Sequence, residues 1–263
     1  MNSWIWDSQQ REFVMGDAHG ELKLADSWFV SDGKVRALGR HRRRFTESAL
    51  EIGCAEAGSD DLWAALVDLI PRSGEWFPRA EILEGDAQKI VFRLRPAPPR
   101  TDELSVWIPP FADPRRHPQT KGPDIARLGD LRAQAHEDHS CDEVMLVDEH
   151  GFVVESATSS LLWWGGETMC RPHPDLAQLP GITSSLIHDE ANRRSIEIEW
   201  RRARPEDLYG NEVWLVNALH GIRRIRAWSG PLGSVPASKQ ATAAAPAWFW
   251  EWKRWLDQQM KSI

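Results

Sequence analysis

Apolar positions recur along this chain at two spacings, near 3.6 and near 2 residues, and their order predicts the elements. Leu62, Leu66, Leu69 and Ile70 make a helical stripe over 60–70. Ser59 is placed to cap that helix, acidic residues fill its first turn, and Pro71 closes it. Helical spacing also marks 41–52, with Phe45, Ala49 and Leu50 apolar, then 125–136 and 183–194. Alternation marks strands over 27–30 and 34–36 around the turn Ser31-Asp32-Gly33, and over 90–94 and 104–108. Segments 144–147 and 152–154 make a hairpin around Asp148-Glu149-His150-Gly151. A strand over 161–164 stops at Gly165-Gly166, and 196–200, 213–216 and 222–227 follow as strands.

The first hundred residues therefore read as a mixed α/β unit, and the second half as strand-rich α+β rather than a regular βαβ alternation. Between them, PPFADPRRHP (109–118) is proline-rich and carries no periodic segment, so it reads as a linker. We expect a small N-terminal domain over 1–108, a linker over 109–120 and a larger C-terminal domain over 121–263. There is no internal repeat and no Gly-x-Gly-x-x-Gly, which leaves a Rossmann cofactor site unsupported. The alanine-rich stretch 241–245 before Pro246 reads as a helix or tether.

Composition narrows the class. A length of 263 residues suits roughly two domains, and a mean hydropathy of −0.48 fits a soluble globular chain. The formal net charge of −7 disfavours a general nucleic-acid binder. The run Arg40, Arg42, Arg43 and Arg44 is local and reads mostly as a solvated helix face. Cys54, Cys141 and Cys170 show no paired spacing, which argues against disulfides or a zinc site and for a reducing, cytoplasmic setting. The opening residues lack the pattern of a signal peptide, and no apolar run is long enough to span a bilayer, so no membrane association is expected. The fifteen tryptophans stand against one tyrosine. Trp248, Trp250, Trp252 and Trp255 suit a face of a final helix used for packing or a subunit contact.

Candidate chemistry lies between Lys121 and Thr183. Lys121 follows the linker and precedes an apolar helix, Glu155 ends a strand, and Pro180-Gly181-Ile182-Thr183 leads into a helix. Pyridoxal phosphate needs those three groups: an amine for its aldehyde, an anion for its ring nitrogen, and an anion cradle for its phosphate. Arg44 is a further candidate for a charge-assisted phosphate contact. Taken singly, each has a plainer reading: a solvated lysine, an edge-strand glutamate, an ordinary N-cap at Thr183.

Their order and spacing resemble the class-IV aminotransferases, the fold-type IV pyridoxal phosphate enzymes, over roughly residues 22–228. The resemblance implies a two-domain fold with the cofactor in the interdomain cleft, and a homodimer. His41 precedes Arg44 by three positions, as a histidine precedes the phosphate-binding arginine in that family. By the same resemblance Lys121 is the Schiff-base lysine and Glu155 the pyridine-nitrogen ligand. Ile182 and Thr183 match the phosphate-binding backbone pair, and Asn217-Ala218-Leu219 the last phosphate and substrate-carboxylate loop. Asp26 stands in the strand that partly sets specificity, and Arg115, Arg116, Arg223 and Arg224 are candidate substrate-carboxylate partners. This chain departs from the pattern at Ser160, usually asparagine, and at Ser184, usually arginine.

No tyrosine follows the lysine: 122–127 read Gly-Pro-Asp-Ile-Ala-Arg, and Tyr209 lies in a loop expected at the surface. With Asn217-Ala218-Leu219, this leans towards an aminodeoxychorismate lyase-like enzyme, which eliminates pyruvate to leave 4-aminobenzoate. An aminotransferase of branched-chain or D-amino-acid type, a non-catalytic relative of the fold, and a tryptophan-rich binding module stay open. The expected partner is a small amino substrate, with no metal.

Overall fold

In the computed structural model, which describes residues 2–85, 87–230 and 245–263, the chain forms two compact units. The first comprises Met1–Pro99, Thr120–Pro123 and Asp257–Ile263. Its elements are β1 (Asn2–Asp7), β2 (Glu12–Met15), β3 (Glu21–Ser27), β4 (Val30–Ser31), β5 (Lys34–Arg36), α1 (Leu38–Glu51), α2 (Asp60–Asp68), β6 (Glu75–Trp76), β7 (Arg79–Glu84) and β8 (Lys89–Leu94). An antiparallel sheet runs β2-β1-β8-β7-β3, which leaves β3 at an edge. Trp28, Phe45, Leu62, Leu66, Ile82 and Phe92 are almost fully buried in the core of this unit.

The helix α1 starts at Leu38, earlier than the expected 41, after Ala37 in the left-handed region (φ 48°) with no capping side chain. Its buried face is His41, Phe45 and Ala49, four residues apart, while Leu50 is 56% exposed. In α2 the expected cap is present: Ser59 Oγ accepts from Leu62 N–H at 3.5 Å, and Asp60 and Asp61 favour the helix's positive end.

The second unit comprises Arg100–Gln119 and Asp124–Leu256. It contains β9 (Glu103–Trp107), α3 (Ile125–His139), β10 (Glu143–Val147), β11 (Val153–Ser156), β12 (Ser160–Gly165), β13 (Thr168–Pro172), α4 (Ile182–Arg193), β14 (Ile198–Arg201), the one-turn α5 (Pro205–Leu208), β15 (Glu212–Asn217) and β16 (Gly221–Ser229). An eight-stranded mixed sheet runs β11-β10-β9-β16-β15-β12-β13-β14. The whole of β10 is buried, so the strand reads as continuously apolar after Glu143. On α6 (Ala247–Gln258), Phe249, Trp252 and Leu256 pack with Trp164 and Trp214, where the tryptophan spacing predicted a packing face. The strand β17 (Met260–Ser262) pairs with β5 in the first unit, completing a small sheet β17-β5-β4-β6. Residues 241–244 of the alanine-rich stretch lie outside the described residues. Among those described, no helix is long and apolar enough to cross a membrane.

Candidate active site

In the first unit, Lys121 is placed by β3. Its carbonyl accepts the Ala25 N–H at 2.7 Å, so the Lys121 segment lies along the free edge of that strand. The next residue, Gly122, has φ 152°, and a Cβ there would stand 2.7 Å from Leu24 Cα. Glycine is therefore required by both the conformation and the close approach.

Asp26, beside Ala25, points to the opposite face. It is 1% exposed and accepts from Arg44 Nε and Nη2, both at 2.8 Å, and pairs with His41 Nδ1 at 2.8 Å. Burial pushes the Asp26 carboxyl up, but the charges of Arg44 and His41 outweigh it and hold the group far below the usual carboxylate range. Burial pushes the His41 imidazole down, Asp26 works against that, and the Arg44 and Lys121 charges push it down further. Lys121, Arg44 and Asp26 thus come together here, and the Asp26 oxygens face Arg44 and His41.

The second unit holds Glu155 at the end of β11, 4% exposed. Its Oε1 accepts from Arg115 Nη1 and, at 2.9 Å, from Leu179 N–H. No hydrogen bond engages Oε2 among the described residues. Burial pushes the Glu155 carboxyl up, and the Arg115 charge only partly offsets this. Arg115 is itself gripped by Asp113, with Nε to Oδ2 at 2.9 Å and Nη2 to Oδ2 at 2.6 Å. Arg115, expected near a substrate carboxylate, is thus engaged with Asp113 and Glu155. Asp124 takes the N–H groups of Arg116 (3.1 Å) and His117 (2.7 Å), which fixes the chain before the lysine.

Ile182 and Thr183 open α4, which has no side-chain cap and no acid in its first turn. Its N-terminal N–H groups and dipole therefore form an uncapped anion cradle. A Cβ on Gly181 would meet Ser160 Oγ at 2.2 Å and Ser184 Cβ at 3.4 Å, so the two departures from the family pattern meet at this one turn. Arg171 Nη2 donates to Ser184 Oγ at 2.8 Å and its guanidinium stacks 4.5 Å from the centre of the Trp200 ring.

Asn217 shapes the β15–β16 turn, bonding Ser159 Oγ at 3.0 Å and accepting His220 N–H at 2.8 Å, with Ala218 and Leu219 in the turn between. Arg223 is buried, reaching Ser159 Oγ at 3.4 Å and lying 3.6 Å from Glu143. Arg224 pairs with Glu212 at 2.7 Å. Tyr209, expected in a surface loop, is partly buried against Trp228, with ring centres 5.6 Å apart. Among the described residues, no group of three or more His, Cys, Asp or Glu is placed to hold a metal ion.

Asp113, Asp124 and Arg171 were not singled out from sequence. Asp124 just before a helix was a readable signal, although its carboxylate takes the Arg116 and His117 N–H groups and does not cap α3; Asp113 grips Arg115 two residues on, and Arg171 acts through Ser184 and Trp200, distant in sequence.

A sequence model of the class IV amino-transferases matches residues 23–228, and the chain belongs to that family, whose members depend on pyridoxal phosphate. No curated protein matches the chain in sequence. Among solved structures, the fold is similar to a hypothetical aminotransferase from Mycobacterium tuberculosis in its α-ketoglutarate- and PMP-bound form (TM-score 0.80, 16% identity, 98% of each chain). It is also similar to the Escherichia coli branched-chain amino acid aminotransferase (TM-score 0.79, 17% identity, 96% of this chain and 92% of the other). A protein assigned as a 4-amino-4-deoxychorismate lyase from Legionella pneumophila matches at TM-score 0.72 and 16% identity over 91% of each chain. The residues present fit the cofactor: Glu155 Oε2 can accept a ring N–H, and the start of α4 carries no capping side chain and no acid that would compete with a phosphate.

Two outcomes follow. Gly122→Ala should cost about 1–3 kcal/mol in urea denaturation, because the Lys121 segment must leave β3. Burial and the charges of Arg223, Arg132, Lys253 and Arg100 push His220 down to about 3. The unfolded chain protonates this histidine near pH 6.5. Its contribution is therefore complete above that value and is lost as pH falls towards about 3. The His220 ring resonances should show no titration between pH 7 and 4 by NMR, and His220→Gln should flatten the acid side of the stability profile.

Proposed function

We propose that this chain is a pyridoxal phosphate-dependent lyase of the aminodeoxychorismate type, eliminating pyruvate to leave 4-aminobenzoate. The observation that carries the cofactor half of this reading is Glu155, a buried carboxylate with one oxygen held by Arg115 and Leu179 and the other open. When bound, the cofactor supplies an aldehyde and an electron-withdrawing ring that stabilises charge at the substrate α-carbon.

In this reading the Lys121 amine would be the group that holds the cofactor's aldehyde, and its nitrogen would serve as general base for the substrate α-proton. Glu155 Oε2 would accept the ring N–H, and the Arg115 guanidinium favours its carboxylate form, partly offsetting the burial that raises its pKa. Ile182 and Thr183 N–H groups, with Arg44 and the Asn217-Ala218 turn, hold the phosphate. Leu219 borders the substrate. Asp26 serves through Arg44, whose guanidinium it orients.

The lyase half rests on what surrounds the lysine. Residues 122–127 offer no tyrosine, and the lone Tyr209 packs on Trp228 in the second unit. Elimination needs Lys121 to shuttle protons between substrate atoms.

The purified protein should show a visible band that borohydride traps on Lys121, located by peptide mass. Lys121→Ala should lose the trapped adduct and about 10³-fold or more in turnover. Glu155→Gln should retain cofactor and lose roughly 10²-fold. Release of 4-aminobenzoate from aminodeoxychorismate supports the lyase; keto acid formation from an amino-acid panel without it would replace the lyase by amino transfer. A colourless protein that added pyridoxal phosphate cannot convert would sink both.

A further inference from the structure

Arg171, on β13, is a half-buried cation that no role above uses. Its partner across the parallel ladder is Trp200 on β14, so the two side chains share a face of the sheet. The guanidinium stacks 4.5 Å from the centre of that ring. Its two terminal nitrogens reach α4: Nη2 donates to Ser184 Oγ at 2.8 Å, and Nη1 donates to His188 Nδ1 at 2.7 Å. Ser184 and His188 stand one turn apart on the same side of that helix. Burial pushes His188 down, and the Arg171 charge adds to that against the pull of Asp189.

Arg171 pairs with no carboxylate among the described residues. Burial alone pushes it down to about 10. Ser184 lies in the first turn of α4, which opens at Ile182. That end of a helix is already positive, so a cation beside it is unfavourable. Neither a capping side chain nor an acid in the first turn offsets this, and Ser184 is buried, so little water reaches the contact. A guanidinium and a helix start of the same sign are thus held together, which a phosphate on the Ile182 and Thr183 N–H groups would relieve. The class-IV pattern usually has arginine at 184, where this chain has serine. Arg171 arrives at the same place from the neighbouring strand.

We propose that Arg171 is a positioning residue for the cofactor's phosphate: from β13 it supplies, through Ser184, the positive charge that the class-IV pattern carries on residue 184 itself. It acts without touching the phosphate. Its field adds to that of the α4 dipole, and its hydrogen bond polarises the Ser184 hydroxyl in the turn that presents the Ile182 and Thr183 N–H groups. Trp200 and His188 hold the guanidinium in place. The inference rests on the reading of Ile182 and Thr183 as the phosphate cradle, and it concerns affinity for a phosphate, which is measurable without turnover.

The test is titration of the full chain, dialysed against hydroxylamine to remove bound aldehyde, with pyridoxal phosphate and with pyridoxal, which lacks the phosphate. Binding is read by absorbance and by tryptophan fluorescence. Arg171→Gln should weaken pyridoxal phosphate about tenfold, the scale of one partly buried charge at a helix end, and leave pyridoxal unchanged. Arg171→Lys should keep part of the affinity, and adding Ser184→Arg to the Arg171→Gln chain should restore most of it. A role confined to packing on Trp200 predicts neither the phosphate-specific loss nor the rescue. If Arg171→Gln does not fold, Ser184→Ala removes the hydroxyl between guanidinium and helix, and a several-fold loss for pyridoxal phosphate alone supports the proposal. Equal losses for the two ligands, or an unchanged affinity for pyridoxal phosphate, overturn it while the parent's uptake of that aldehyde keeps the cofactor reading. A parent that takes up neither aldehyde, yet melts higher in inorganic phosphate only when Arg171 is present, overturns the cofactor reading and leaves the role of Arg171 standing.

Discussion

The N–H of Ala25 meets the carbonyl of Lys121 at 2.7 Å, and the chemistry of the first unit is arranged around that contact. An edge strand offers unpaired N–H and C=O groups, and here they register a lysine that belongs to no helix or strand. Because side chains alternate along β3, fixing Ala25 also fixes its neighbours. Asp26 turns one way and orients Arg44 and His41; Ala25 and Ser27 turn the other way into the rows that hold Glu81 and Arg79. One strand therefore sets Lys121, Arg44 and Glu81 in a common frame. Gly122 permits it, since any larger residue would drive the two backbones apart.

The second constraint is the burial of carboxylates. Asp26, Glu81, Glu143 and Glu155 are all nearly inaccessible, and each lies beside at least one guanidinium. A buried charge without a partner would neutralise or unfold the structure, and the planar fork of arginine suits a carboxylate better than an ammonium does. How much of each carboxylate is engaged decides its chemistry. Both oxygens of Asp26 are held by cations and the group stays ionised deep into acid. Only one oxygen of Glu155 is engaged, so burial prevails and its pKa rises, which leaves an acceptor with real basicity. The acidic net charge of −7 therefore coexists with an arginine-rich interior.

Much of this frame was legible in the chain. The Ser59 cap, the hairpin expected over 144–147 and 152–154 and the helix expected from Thr183 each rest on signals within a few residues, and local signals survive folding. The β1–β2 hairpin was missed, because Trp4, Ile5 and Trp6 blur the alternation. The strand β7 was missed because Arg79 and Glu81 look like surface residues until β8 supplies Arg93 opposite. The start of α1 was misplaced because Ala37 gives no capping cue and Gly39 looks unhelical. The residue pairs that define the site, Asp26 with Arg44 and Arg115 with Glu155, are set by packing between segments 18 and 40 residues apart, which no local pattern encodes.

The chain passes between its two units at 99/100, 119/120, 123/124 and 256/257. The first unit is thus assembled from three separate stretches, one of them the four residues around Lys121 and another the segment bearing β17. No single break point in the gene yields it whole. A fragment ending at Pro99 would lack both the lysine and a strand of its smaller sheet. Recombination at one junction cannot pair this lysine-bearing unit with a new companion, so the two halves are bound to be inherited and to diverge together.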